Sequence, residues 1–324
     1  MSLILHIILL VVGLIVLWRS AVLLVDGAVG LARVLGVSSL VVGLTVVAMG
    51  TSAPEVAASI VGVLRKAGGG DIAVGNVFGS NIANLALVGG LVALIRPLRV
   101  QRKTLFREIP IMLLVALLLW PLLRNSNISR PEAVILLAIF AALIILTVYA
   151  ARRESKLTIL QSETYKPNVK NETRSVQKNL LFVLIGLVGL ALGAKMAVEG
   201  AVFVGIEIGL SERVIALTII AFGTSLPELV TCVVAAIKGH HDISVGNLVG
   251  SNIFNTLLVI GAAGVVRPFE IEARLAGGID YWIMIIFSGA FAAAVIIGKR
   301  VLGRVCGSLL VCAYIGYIIH LLLA

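Results

Sequence analysis

Apolar residues run in stretches of membrane-spanning length near 4–24, 38–64, 72–95, 105–123 and 131–151, and again near 179–198, 213–237, 243–266, 281–298 and 302–323. About twenty apolar residues wound as a helix cross the hydrocarbon core of a bilayer. The pattern therefore predicts an all-α membrane protein with ten transmembrane helices, five on each side of a polar segment. The first stretch of each half extends beyond its apolar run, toward residues 33 and 206. The division is 1–151, 152–178 and 179–324. The middle piece, Arg152 through Lys178, is hydrophilic and short, a linker rather than a domain.

The polar residues inside the apolar runs repeat. Gly43-Leu-Thr-Val-Val-Ala-Met-Gly-Thr-Ser-Ala-Pro-Glu55 returns 173 residues later as Ala216-Leu-Thr-Ile-Ile-Ala-Phe-Gly-Thr-Ser-Leu-Pro-Glu228, with eight of thirteen positions identical. A second pair follows, Ile72 through Asn84 against Ile243 through Asn255, with nine of thirteen identical. Asp26-Gly27 meets Glu199-Gly200, and Arg96-Pro97 meets Arg267-Pro268. Shared hydrophobicity does not produce agreement concentrated in Gly, Asn, Ser, Thr, Pro and Glu. An odd number of spans per copy makes the copies enter the membrane from opposite sides. Such inverted repeats place substrate near the midplane, where interrupted helices meet.

A carboxylate within a spanning helix costs several kcal/mol unless compensated and marks a functional site by default. Each glutamate follows a proline. A proline ring denies the preceding turn a backbone donor, so the carbonyls of Gly50 and Thr51, and of Gly223 and Thr224, lose helical partners. Bare carbonyls survive at membrane depth only where they line a polar cavity. Each break thus gathers carbonyl oxygens, the hydroxyls of Thr51 and Ser52 or Thr224 and Ser225, and the carboxylate of Glu55 or Glu228. Asn76, Ser80 and Asn84 form a stripe at i, i+4, i+8, repeated by Asn247, Ser251 and Asn255. The stripe reads either as interhelical hydrogen bonding or as the lining of an ion path. Gly75, Gly79, Gly246 and Gly250 are spaced for close helix approach.

All these donors are oxygen, which selects hard cations such as calcium and sodium. Calcium suits the set better than magnesium, which holds its water and demands tight octahedral geometry. Two glutamates give the pocket a charge of −2, matched by one calcium or several sodium ions. Moving the pocket empty across a low-dielectric barrier is costly, so obligatory exchange is favoured over uniport.

With 60% hydrophobic and 13% charged residues, a soluble globular domain is excluded. The net charge of +10 is better read through loop asymmetry than through nucleic acid. Connections alternating from the one after the first span carry 17 Lys and Arg, against 7 in the other set. The richer set, with the 152–178 linker, is expected to be cytoplasmic and both termini extracytoplasmic, in a plasma or prokaryotic inner membrane. Met1 to Trp18 holds no basic residue, which reads as a retained first span. Cys232, Cys306 and Cys312 are too few for a disulfide framework. Cys232 shares a helix face with Glu228. Asp26 and Glu199 are read as solvated interfacial acids or as groups at a cavity mouth. Arg19 and Lys195 are expected to snorkel, and Trp18, Trp120 and Trp282 to anchor the interfaces. His240-His241, beside Asp242, reads as a solvated pair. No zinc-hydrolase helix, nucleophile triad or phosphate loop supports an enzyme, and no cofactor or obligate protein partner is evident.

Gly-Thr-Ser-x-Pro-Glu and Gly-Ser-Asn-x-x-Asn, each present twice, resemble the motifs of the cation/calcium antiporter superfamily, in particular its compact prokaryotic sodium/calcium exchangers. The resemblance implies exchange of calcium for sodium by alternating access, electrogenic at three sodium ions per calcium. Glu55 and Glu228 would then be the central ligands. Thr51 and Thr224 would give carbonyls to calcium. Their hydroxyls, with Ser52, Ser225, Ser80, Ser251 and the carbonyls of Ala48 and Ala221, would form sodium sites. Asn84 and Asn255 would line the centre, and the helices near 4–33 and 179–206 would slide. Both last positions are Asn here, where some relatives carry an aspartate, and this argues against potassium cotransport. Two buried carboxylates can also carry protons, so proton/calcium antiport is the alternative. A calcium-permeable channel is the less favoured third reading.

Overall fold

The computed structural model describes residues 3–65, 69–161, 175–215, 219, 221–272, 275–276 and 278–323. The first half contains α1 (Leu3–Leu35), a broken span made of α2 (Ser39–Thr51) and α3 (Ala53–Leu64), α4 (Gly69–Ile95), α5 (Thr104–Leu123) and α6 (Arg130–Gln161). The second half contains α7 (Val176–Glu207), then α8 (Glu212–Ile215), α9 (Ala221–Thr224) and α10 (Leu226–Ile237). α11 (His241–Val266), α12 (Ile279–Ile297) and α13 (Arg304–Leu323) complete it. Among the described residues eight helices are long and apolar enough to cross a membrane, and the bent pair α2/α3 makes a ninth. The expected span at 213–237 corresponds to α8, α9 and α10, with residues 216–218 and 220 outside the described set. α1 and α7 run to residues 35 and 207, as the extended stretches led us to expect. α6 continues to Gln161, into the polar segment, and residues 162–174 of that segment are outside the described set.

The inversion is visible in the pairing of α1 with α7, the first helix of each half. Gly13 lies against Gly193 and Ala197, Leu24 against Gly186, and Gly27 against Val183, so the two helices run antiparallel. Glycine and alanine let the backbones touch: a Cβ on Gly13 would fall 2.6 Å from the Ala197 amide nitrogen. Lipid tails supply no hydrophobic drive between helices, so such close packing carries the association. This pair nucleates its own apolar cluster, centred on Leu17, Ala21, Leu24, Val25, Val183 and Leu190. A larger cluster spans the remaining helices.

The halves interlock rather than sit side by side. α6 packs on α11 and α13 packs on α4, each last helix covering the third span of the opposite half. Four two-residue strands add to the helical fold. β1 (Leu98–Arg99) pairs antiparallel with β4 (Val301–Leu302), and β2 (Asn127–Ile128) pairs with β3 (Phe269–Glu270). β1 and β3 follow Arg96-Pro97 and Arg267-Pro268, where the residue before proline is forced out of helical geometry. Arg96 lies at φ −146° and ψ 116°, and Arg267 at φ −150° and ψ 119°.

Those two arginines cap the opposite half. The Arg96 guanidinium donates to the Ile237 carbonyl at the end of α10. Arg267 donates to the carbonyls of Val63, Leu64 and Arg65 at the end of α3, at 3.4–3.5 Å. Final-turn carbonyls lack helical donors, so a cation there is doubly favourable. The two acids that begin α4 and α11 behave alike. Asp71 accepts from the Glu272 amide and Asp242 from the Gln101 side chain, both at 2.7 Å.

Candidate functional site

Two kinks bring the glutamates together. α2 ends at Thr51, Ser52 sits at φ −83° and ψ 4°, and α3 resumes with Pro54 in its first turn, where a missing N–H costs nothing. The axes of α2 and α3 differ by 41°. Ser225, at φ −88° and ψ 2°, performs the same step between α9 and α10 ahead of Pro227. Each carboxylate thus begins a new helix, where the N-terminal dipole favours negative charge. π-helical turns lie at Gly43–Val47 within α2 itself, and at Ala83–Val88 in α4 and Asn255–Val259 in α11. Their wider turns, unforeseen from the apolar pattern, loosen the backbone at functional sites. Asn84 and Asn255 lie within the last two.

Glu55 is 0% and Glu228 1% exposed, and the two carboxylates lie near each other. Ser80 sits beside Glu55, and Thr51 and Ser52 of the first half sit beside Glu228 of the second. None meets the carboxylates with hydrogen-bonding geometry. Ala48, Thr51, Ser52, Ser80, Asn84, Ser225, Ser251 and Asn255 are all buried, and Thr224 is half-buried. Ala221 begins α9. The Ala48 carbonyl accepts from the Ser52 amide at 3.0 Å and lies 3.4 Å from the Thr51 hydroxyl.

Among the described residues no hydrogen-bond partner meets either oxygen of Glu55 or Glu228, the hydroxyls of Ser52, Ser225 and Ser251, or the amide groups of Asn84 and Asn255. Buried polar atoms are almost always satisfied, and ionised carboxylates more strictly so. A cluster of orphaned oxygens around two acids fits a set of hard cations. No group of three His, Cys, Asp or Glu suited to a metal occurs among the described residues, so hydroxyl, amide and carbonyl oxygens must supply the remainder.

The stripe divides. Asn76 donates to the Glu55 carbonyl at 3.2 Å and to the Ser59 hydroxyl at 3.0 Å, and Asn247 donates to Cys232 at 3.4 Å. Those two asparagines hold helices together, whereas Asn84, Ser251 and Asn255 have unpartnered polar atoms among the described residues and Ser80 sits beside Glu55. The glycines divide as well. Cβ positions on Gly246 and Gly250 would fall 2.9 Å and 2.8 Å from α2 atoms. Gly75 and Gly79 have nothing within 4 Å among the described residues.

A cavity of about 220 Å³ lies between α7 and both breaks, lined by Pro54, Ala191, Ala194, Lys195, Val198, Gly223, Thr224 and Pro227. Lys195 pairs with Glu199 at 3.8 Å, both well exposed. Asp26, the counterpart of Glu199, is no merely solvated acid, because Lys238 at the end of α10 holds it at 2.6 Å. Trp120 and Trp282 pack on each other, their rings tilted by 53° with centroids 5.0 Å apart. His240 and His241 border a surface cavity with Arg99, Gln101 and Asp242.

The sodium/calcium exchanger protein family matches residues 5–149 and 178–323, nearly all of both halves. The chain belongs to this family. It is 39% identical over 307 residues to the putative antiporter CaxA of Alkalimonas amylolytica, covering 94% of this chain and 95% of that one. It is 32% identical over 293 residues to the sodium/calcium exchanger MaX1 of Methanosarcina acetivorans, covering 81% and 83%. The structure of the sodium-calcium exchanger NCX_Mj soaked without sodium or calcium superposes with a TM-score of 0.82 and 29% identity, over 98% of this chain and 99% of that one. The exchanger architecture is therefore that of this chain: ten spans in two inverted five-helix halves, embedded in a membrane as a transporter rather than an enzyme.

Proposed function

We propose that this exchanger moves calcium and sodium in opposite directions through one site, by alternating access, without a cofactor. The observation that carries this reading is the pair of buried glutamates, one from each inverted half, within a shell of unpartnered oxygens. Glu55 and Glu228 serve as shared ligands. Thr51 and Thr224 add carbonyls for calcium. The hydroxyls of both threonines, Ser52, Ser225, Ser80 and Ser251, with the Ala48 and Ala221 carbonyls, serve sodium, and Asn84 and Asn255 line the centre. One calcium cancels the two charges. Three sodium ions over-neutralise them by one, which makes a 3:1 cycle electrogenic. Hydroxyls and carbonyls beyond the carboxylates favour sodium over protons as the counter-ion, because a proton needs no such shell.

The basic loops, with Arg33, Lys238 and the 152–178 linker, face the cytoplasm, and both termini face outward. α1 and α7, packed chiefly on each other, form the moving element.

Calcium-45 uptake into liposomes containing the purified protein tests the reading. A sodium gradient directed outward should drive uptake and generate a membrane potential. Uptake driven by a pH gradient and indifferent to sodium would replace sodium with protons. Uptake without any counter-ion would make the protein a channel.

A further inference from the structure

A hydroxyl group has one proton and two lone pairs, so fixing where the proton goes fixes where the lone pairs point. Behind the site, four groups from both halves form a directed chain of hydrogen bonds. The Cys232 thiol donates to the Ser244 carbonyl at 3.5 Å. Asn247 donates its amide N–H to the Cys232 sulfur at 3.4 Å. With its nitrogen so engaged, Asn247 presents its oxygen toward the first half, where the Thr51 hydroxyl donates to it at 3.1 Å. The other acceptor of that hydroxyl, the Ala48 carbonyl, is more distant at 3.4 Å. Either way the Thr51 proton is turned away from Glu228, whose oxygens accept no hydrogen bond.

We infer that Cys232 and Asn247 are positioning residues that keep the Thr51 hydroxyl facing the site as an acceptor, which is the orientation a sodium ion requires. This rests on the sodium/calcium exchange reading and adds to it two residues outside the ion-binding set. Without the chain, the Thr51 hydroxyl could rotate and donate to Glu228. That would stabilise the ion-free carboxylate and remove one sodium ligand in a single motion.

The other half repeats the first two links of the chain with different atoms. Ser59, the repeat equivalent of Cys232, donates to the Ala73 carbonyl at 3.5 Å and accepts from Asn76 at 3.0 Å. Direction and residue order are conserved between the halves although the sulfur is replaced by oxygen. Helix packing alone would not require the donor order to match. Cys232 is fully buried and free, so the thiol acts here as a hydrogen-bonding group rather than a redox centre.

The test uses the purified full-length protein in detergent, measuring equilibrium calcium-45 binding and the sodium concentration that displaces half of it. Cys232→Ala and Asn247→Ala should each raise that sodium concentration by about fivefold, the scale of one hydrogen bond. The calcium dissociation constant should rise by a smaller factor, because calcium meets only the stabilised Glu228 and loses no hydroxyl ligand. Cys232→Ser should restore the sodium response, because serine already fills this role at position 59. Unchanged sodium displacement in folded Cys232→Ala, or no recovery in Cys232→Ser, would overturn the inference and leave the exchange reading intact. If sodium fails to displace calcium from the wild-type protein, the exchange reading itself falls and this inference falls with it. Should Asn247→Ala not fold, Cys232→Ala and Cys232→Ser carry the test.

Discussion

The linker face and the opposite face of this molecule are built from the same repeated sequence, yet they are held differently. On the linker face, Asp26 of α1 is clasped by Lys238 at the end of α10, at 2.6 Å across helices. On the other face its equivalent, Glu199, pairs only within α7, with Lys195 at 3.8 Å. The flanks differ in the same sense. Residues 191, 194, 195 and 198 of α7 border the 220 Å³ cavity above both prolines. Their counterparts on α1 are mixed: Ala21 and Val25 are completely buried, Val22 is half-buried and Trp18 is exposed. An inverted repeat guarantees that the two faces are able to exchange roles, not that they share one at a given moment. Alternating access requires two states in which the faces exchange roles, so a contact made on one face alone, such as Asp26 with Lys238, bears on the switch.

The strongest way to break this comparison is at its symmetric centre, where the halves should count equally. Glu55→Gln and Glu228→Gln should each reduce sodium-driven calcium uptake by more than about a hundredfold, since each removes one of two charges that a divalent ion must find in a low-dielectric site. An active double variant would remove the ligand assignment.

Next in size is the α1–α7 seam. Gly13→Val places atoms into the backbone of α7 and should lower stability by about 1–3 kcal/mol, the usual cost of overpacking. Thermal unfolding in detergent measures it, with Gly316→Val, at a position with nothing within 4 Å among the described residues, as the neutral control.

The clasp is worth less, because both of its partners are partly exposed, and such pairs contribute about 0.2–1 kcal/mol. Asp26→Asn should raise labelling of a cysteine placed at Val22 by about two- to fivefold, using a thiol reagent applied from the linker face. Glu199→Gln should leave that labelling unchanged. Equal effects from both substitutions would erase the distinction between the faces.

The smallest effect belongs to Lys195, a cation on the wall of the cavity. Lys195→Gln should lower the calcium KM by about twofold at low ionic strength, and the gain should vanish at high salt as screening sets in.

Much of this was readable from residue order alone. The two Gly-Thr-Ser-x-Pro-Glu segments were conspicuous because polar identity at membrane depth is expensive and therefore sparse, and their duplication announced the inversion. Other features depend on distance across the halves. Nothing adjacent to Asp26 in the chain points to Lys238, and nothing near Thr51 points to Asn247 or Cys232. The offset between the copies was the available clue, because it aligns Cys232 with Ser59 and so marks a position where sulfur and oxygen do the same work. The π-helical turns and the two-residue strands escaped for a different reason. A fraction of a turn, or a pair of hydrogen bonds, leaves too faint a mark on a hydrophobic pattern.

The exchanged last helices have an evolutionary corollary. With α13 covering α4 and α6 covering α11, a solitary half would leave its third span bare and its own final helix with nothing to cover. The smallest assembly able to bury these surfaces is two halves of opposite orientation. A single-copy ancestor of this gene would therefore have had to insert in both directions and work as an antiparallel homodimer, with fusion later fixing one copy each way.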